Sequence, residues 1–221
     1  MSNWLLAFSS AAEVIEGLVA LSICHYAYRF YRLSGEEALA SLSASFLALS
    51  VGLLVHGTSL ALICLVTSGF ARPALRTAIL LASRIMGLVL FGCEALAYGY
   101  LAYSYAKPGR RAAALVLLPV LAAAQRPPEP EALIRFVRYH PVLECLVLGL
   151  LIYLTYRTIS NFLSSRDANP FLVSFAFLFL TAAHACFMLS YFLAALYLTA
   201  HILQLLAFLC MLMMLLRVIS A

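Results

Sequence analysis

Long runs of Leu, Ile, Val, Ala and Phe, broken by short clusters of Gly, Pro and charged residues, set the pattern of the whole chain. Seven apolar runs can be delimited, at about 4–31, 38–67, 77–105, 111–125, 141–160, 170–196 and 199–219. The joints carry turn chemistry: "LSGEE" at 33–37, "GFARP" at 69–73, "KPGRR" at 107–111, "RPPEPE" at 126–131 and "RDANP" at 166–170. About 20 apolar residues in a helix cross ~30 Å of hydrocarbon, and a single apolar segment in lipid satisfies its own backbone polar groups only as a helix. The pattern therefore predicts an all-α, polytopic membrane protein with seven transmembrane helices. The fourth run is short and interrupted by Pro119; the segment 131–140, "EALIRFVRYH", is too charged to cross and is expected to lie in the outer interface.

Internal spacing adds a second level of organisation. Glu16 is followed twelve residues later by Tyr28-Arg29 and forty residues later by His56; Glu144 is followed at the same intervals by Tyr156-Arg157 and His184. Further on, "RIMGLVLFGC" from Arg84 shares Ile, Leu, Phe and Cys with "HILQLLAFLC" from His201 at equal offsets. These matches predict a duplication: a first three-helix repeat at 1–105, a linker helix with an interfacial segment at 106–140, and a second three-helix repeat at 141–221. The fourth span restores orientation, so the halves of this 3+1+3 arrangement run parallel, related by an axis along the membrane normal. In topology alone this resembles the SWEET sugar transporters. Their proline-glutamine pattern is missing, since Gln occurs only at 125 and 204.

Composition narrows the function classes. The chain is 65% hydrophobic and 10% charged, so its net charge of +5 sits mostly in joints between spans and reads as a topology signal, with no nucleic-acid partner implied. Arg29, Arg32, Lys107, Arg110, Arg111, Arg157, Arg166 and Arg217 follow odd-numbered spans, against Arg72, Arg76, Arg126, Arg135 and Arg138 on the other side. That bias predicts a cell-membrane protein with its N-terminus outside and its C-terminus cytoplasmic. The six cysteines fall in separate apolar runs without a CxxC pair, which suits small buried hydrophobes. An opsin is excluded by chemistry, because the sole lysine, Lys107, is nowhere near the last span. Hydrolytic motifs and phosphate loops are absent too, which argues against an enzyme.

Ionisable residues inside the apolar runs carry the functional signal, since each is costly in hydrocarbon. Glu13, Glu16, Arg84, Glu94 and Glu144 lie within spans, with His25, His56, His184 and His201. Glu16, Glu94 and Glu144 each precede a basic residue by thirteen positions, which places three carboxyls at one depth, about 20 Å from the inner boundary. His56 falls one or two turns outward of them, on a stripe of small residues that includes Ser45, Ala48, Gly52 and Ser59, and is expected to face the bundle interior.

Three ligand chemistries compete for this interior. The first expectation is a b-type haem for electron transfer or redox sensing. His56 and His184 would be its axial ligands, Arg84 a propionate partner and Glu16 and Glu144 the acceptors that hold the imidazole tautomers, with His201 nearby. A quinone or a redox protein would be its partner beside the lipid bilayer, and a homo-oligomer is compatible. The alternative is a small-solute or proton-coupled transporter, or a sensory membrane module with a separate output partner. A divalent metal held by His56, His184, His201 and a Glu is the third. Against all of them stands plain interhelical hydrogen bonding, which uses the same residue types.

Overall fold

A computed structural model describes residues 3–67, 73–106, 141–190 and 192–220, with side chains at 73–81, 83–84 and a few helix ends left out of the description. Six helices fill it: α1 (Asn3–Ser34), α2 (Glu37–Thr67), α3 (Pro73–Tyr105), α4 (Pro141–Ser165), α5 (Ala168–Leu189) and α6 (Ala194–Ser220). All six are long and apolar enough to cross a membrane. The shortest, α5 with 22 residues, rises about 33 Å, already the thickness of a hydrocarbon core. Among the described residues there are thus six spans. The predicted fourth span at 111–125 and the interfacial segment at 131–140 lie outside the described residues.

The helix ends follow from the joints read in the sequence. Gly35 closes α1 with a left-handed φ of 72°, a conformation that costs glycine nothing, and its amide donates to the Tyr31 carbonyl. Pro141 opens α4, where its missing N–H removes no helix bond.

Each helix packs on the next along the chain, and the circle closes through α3 against α4 and α1 against α6. Contacts fix the directions. Cys24 meets Ser43 while Ser10 reaches Gly57, so α1 and α2 are antiparallel. Thr155 bonds to Thr181 while Cys145 meets Met188, so α4 and α5 are antiparallel as well. Arg157, late in α4, donates to the carbonyl of Tyr105 at the end of α3 at 3.0 Å, so those two helices run parallel. Ser9 with Tyr197 and Glu16 with His201 give the same parallel sense to α1 and α6. The C-terminal ends of α1, α3, α4 and α6 accordingly share one end of the ring, called the inner end below.

Burial is inverted relative to a water-soluble bundle. Ile15, Leu18, Leu62, Leu96, Ile152, Ile202 and Met213 are exposed on the outside, whereas Glu13, Glu16, Glu94, Glu144, His184 and Gln204 are sealed within. Lipid as solvent explains both halves: tails cover the apolar exterior without penalty, and polar groups are retained only where they face other polar groups. The six helices therefore form a membrane-like bundle with a lipid bilayer as its surroundings.

Candidate functional site: a buried acid and imidazole chamber

Along each helix the inward stripe changes character with depth. In α5 it reads Phe177, Leu180, His184, Phe187, and in α6 His201, Gln204, Phe208, Met211, Leu215, with neighbours three or four residues apart on one face. In α4 it begins with Glu144 and continues through Val147, Leu151 and Leu154. In α1, Glu13 and Glu16 precede Ala20, Ile23 and Ala27. The buried acids and imidazoles thus lie in the outer half, while the inner half is mostly apolar with a few hydroxyl side chains such as Thr155, Thr158 and Ser174.

Three hydrogen bonds organise the polar half. His56 Nδ1 meets Glu13 Oε2 at 2.6 Å, His184 Nδ1 meets Glu144 Oε2 at 2.8 Å, and His201 Nδ1 meets Glu16 Oε1 at 3.0 Å. All six residues are at most 5% exposed. Each pair joins two helices: α1 with α2, α4 with α5, α1 with α6. An Nδ1 engaged by a carboxylate directs the other ring nitrogen, Nε2, to whatever lies opposite, which is the orientation found for metal-bound histidines. For His184 and His201 that nitrogen is buried and has no hydrogen-bond partner among the described residues.

Local packing explains why these pairs form. Gly57 lies so close to α1 that a Cβ there would stand 3.1 Å from the Glu13 Cβ, and Ser10 Oγ donates to the Gly57 carbonyl at 2.8 Å. Glycine thereby lets α1 approach until Glu13 reaches His56 one residue away. On the far side of His56, Nε2 faces Gly87 of α3, whose own Cβ would lie 3.8 Å off. Glu144 occupies the first turn of α4, where the positive end of the helix dipole favours a carboxylate. His201 is held by rings, with Tyr197 at 4.8 Å and Phe187 at 5.0 Å between centroids.

Glu94 of α3 differs from the other acids. It is fully buried and neither carboxylate oxygen has a hydrogen-bond partner among the described residues. One donor atom from each of Glu94, Glu144 and His184 lies within 4.8 Å of the other two. Glu94 is also within electrostatic range of Glu13 and Glu16. The hydroxyl of Tyr98, one turn along α3 with its ring edge-on to His184 at 5.8 Å, and both amide atoms of Gln204 on α6 are likewise buried without partners among the described residues. A packed protein interior pairs nearly all such groups, so this concentration of unpaired polar atoms sets the outer interior apart.

Apolar packing closes the chamber at both ends. Outward, Leu6, Leu60 and Ile63 form one small cluster and Phe187, Tyr197 and Ala200 another. Inward, Phe46 of α2 stands edge-on to Phe208 of α6 at 5.6 Å, with Leu101 and Phe177 on the neighbouring helices. Beyond this layer an open cavity of about 910 Å³ reaches the inner end, lined by Glu36, Glu37, Tyr100, Ser104, Asn169 and Met214 among others. None of the three paired histidines lines it.

No protein-family model, no curated protein and no solved structure matches this chain.

Set against the sequence, His56 and His184 do face inward, and Glu144 does hold the His184 ring. The acceptor for His56, however, is Glu13; Glu16, one turn along, serves His201 on α6. The forty-residue interval that equates the two Glu/His sets thus describes a bonded pair only in the second half. His56 stands outside the three-residue group that Glu94, Glu144 and His184 form. The side chain of Arg84 lies outside the described residues. Glu94 was visible in sequence as one of three acids at a common depth, but no sequence signal separates the acid that lacks an imidazole from those that own one. Gln204 gave no signal beyond its polarity.

Proposed function

We propose that this chain is the core of a transporter for small cations, with the chamber as its occluded binding site. One observation carries the reading: four buried carboxylates, Glu13, Glu16, Glu94 and Glu144, face three imidazoles, leaving Glu94 in excess. Each Glu/His pair is neutral as a unit, whether the proton sits on oxygen or nitrogen. Glu94 has no hydrogen-bonded partner of this kind among the described residues, and an unpaired carboxylate in a dry interior is costly. Its charge calls for a proton or another small cation, in a place that a packing role alone does not require.

The surroundings support the same reading. An acidic rim at Glu36 and Glu37 attracts cations into the inner cavity, and the Phe46 and Phe208 layer separates that cavity from the chamber. A site of this kind, closed on both sides and formed between two sets of three helices, suits alternating access, in which one set rocks against the other. The parallel 3+1+3 duplication, with the linker span outside the described helices, is part of this proposal, as is a cytoplasmic inner end.

The test is flux into proteoliposomes under imposed gradients of protons, Na+ and Zn2+, read with interior dyes. The wild-type chain is expected to carry at least one of these, Glu94→Gln to lose at least about tenfold of that flux, and Tyr156→Phe, on the lipid-facing surface, to keep it. Equal flux in wild-type and Glu94→Gln vesicles overturns the proposal.

A b-type haem is the second reading. It is favoured by the two anchored imidazoles of His184 and His201 whose Nε2 atoms are unpartnered. Electron transfer to a quinone or redox protein would follow. A reduced-minus-oxidised absorption spectrum of the purified chain decides it: a Soret band lost in His184→Ala supports haem, and a colourless protein after expression with ample haem removes it.

A further inference from the structure

The donor set around Glu94 specifies which cation. Resting on the transport reading above, we infer that Glu94, Glu144 and His184 form a binding site for a divalent transition-metal ion of the zinc type, and that such an ion is the chain's cargo.

Donor chemistry argues first. Two carboxylate oxygens and one imidazole nitrogen form a mixed oxygen and nitrogen set, which suits zinc and its first-row neighbours; Mg2+ and Ca2+ prefer oxygen throughout. Charge argues second: when a doubly charged ion enters, the proton shared by Glu144 and His184 and the proton on Glu94 leave, and two carboxylates with a neutral imidazole then balance the ion with no net charge in the hydrocarbon. Geometry is the third and independent observation. His184 is fully buried, and its Nδ1 already stands 2.8 Å from Glu144 Oε2, a little under the separation of two ligands of one ion, so an ion that takes the place of the shared proton meets both groups. Both Glu94 oxygens are without a hydrogen-bond partner among the described residues in the same space.

Distances fit a modest closure. Ligands about 2.0 to 2.2 Å from a tetrahedral ion stand roughly 3.4 Å apart. The three donor atoms already lie within 4.8 Å of each other, so side-chain rotation of about an ångström completes the set. Three protein ligands leave a fourth position open, the pattern of an exchangeable site. The ligands also come from three helices, α3, α4 and α5, so parting α3 from α4 and α5 dismantles the site and releases the ion.

Chelator-stripped full-length protein in detergent is titrated with Zn2+ by calorimetry, and the complex with Co2+ is examined by visible absorption. One equivalent of Zn2+ is expected, with d–d bands of tetrahedral Co2+ and no thiolate charge-transfer band. Glu94→Gln is expected to weaken binding at least tenfold. Glu94→Asp, which keeps a shorter carboxylate, gives an intermediate affinity, and Tyr156→Phe, on the lipid-facing surface, leaves the affinity within about twofold of wild type. Circular dichroism and gel filtration establish that each variant is folded. No binding, binding indifferent to Glu94, or a thiolate band placing the metal on cysteines overturns the inference. Loss of proton or Na+ flux in Glu94→Gln together with absent Zn2+ binding rejects the metal while retaining transport; tight Zn2+ binding without flux of any cation retains the site and rejects transport.

Discussion

A single carboxyl decides how the interior is understood. Glu13, Glu16 and Glu144 each have an imidazole within 3.0 Å, and such bonds are worth about 0.6 to 2 kcal/mol within membranes. A double-mutant cycle of Glu144→Gln and His184→Gln, read by thermal unfolding in detergent, is expected to return a coupling in that range. A cycle of Glu94→Gln with Tyr98→Phe is expected to return none, because no hydrogen bond joins the two. A coupling near zero for Glu144 and His184 contradicts the bonded geometry. At this scale the sequence was informative about which residues are buried and poor about who meets whom. Helical spacing placed His56 on an inward face, but a shift of one turn in its partner, from Glu16 to Glu13, lies below what spacing resolves. Partnership between α1 and α6 depends on how the ring closes, which no local pattern encodes.

Helices meet where small residues let them. Gly52 faces Cys93 of α3 so closely that a Cβ would stand 2.8 Å from the Cys93 Cβ, and Gly17 stands against Leu54 at a comparable 2.8 Å. Gly52→Val is therefore expected to force α2 and α3 apart and to destabilise the bundle by about 1–3 kcal/mol, measured as a lowered unfolding midpoint. Gly99, whose Cβ would meet nothing within 4 Å, accepts Ala without loss and gains helix propensity of about 0.8–1 kcal/mol. An unchanged midpoint for Gly52→Val contradicts the close packing described. The small-residue stripe of α2 was readable in the sequence because periodicity survives in an apolar run. Which faces meet lipid was not, since leucine serves equally well against a tail and against a neighbouring helix.

On the scale of the whole molecule, helix direction is the observation with consequences. The parallel pairs α3 with α4 and α1 with α6 put Gly35 and Arg166, which end α1 and α4, at the same end of the ring. Single cysteines at 35 and 166 in a cysteine-free chain are expected to react with an impermeant maleimide from the same side of sealed vesicles, the cytoplasmic one if the charge bias holds. Labelling from opposite sides contradicts the parallel halves. The long apolar runs made six helices legible at once, because hydrocarbon thickness sets their length. The joints were legible from glycine, proline and charge. The polar chamber needed three dimensions, as its members come from all six helices.

Everything functional depends on Glu94 being an unpaired acid that a small cation can reach. Modification by a hydrophobic carbodiimide, mapped by peptide mass spectrometry, probes that carboxyl directly, because the reagent activates a protonated carboxyl inside lipid. The account predicts that Glu94 is labelled ahead of Glu13, Glu16 and Glu144, whose oxygens bond to imidazoles, and that saturating Zn2+ protects it. Labelling spread evenly over the four acids, or confined to the other three with Glu94 untouched, would contradict it.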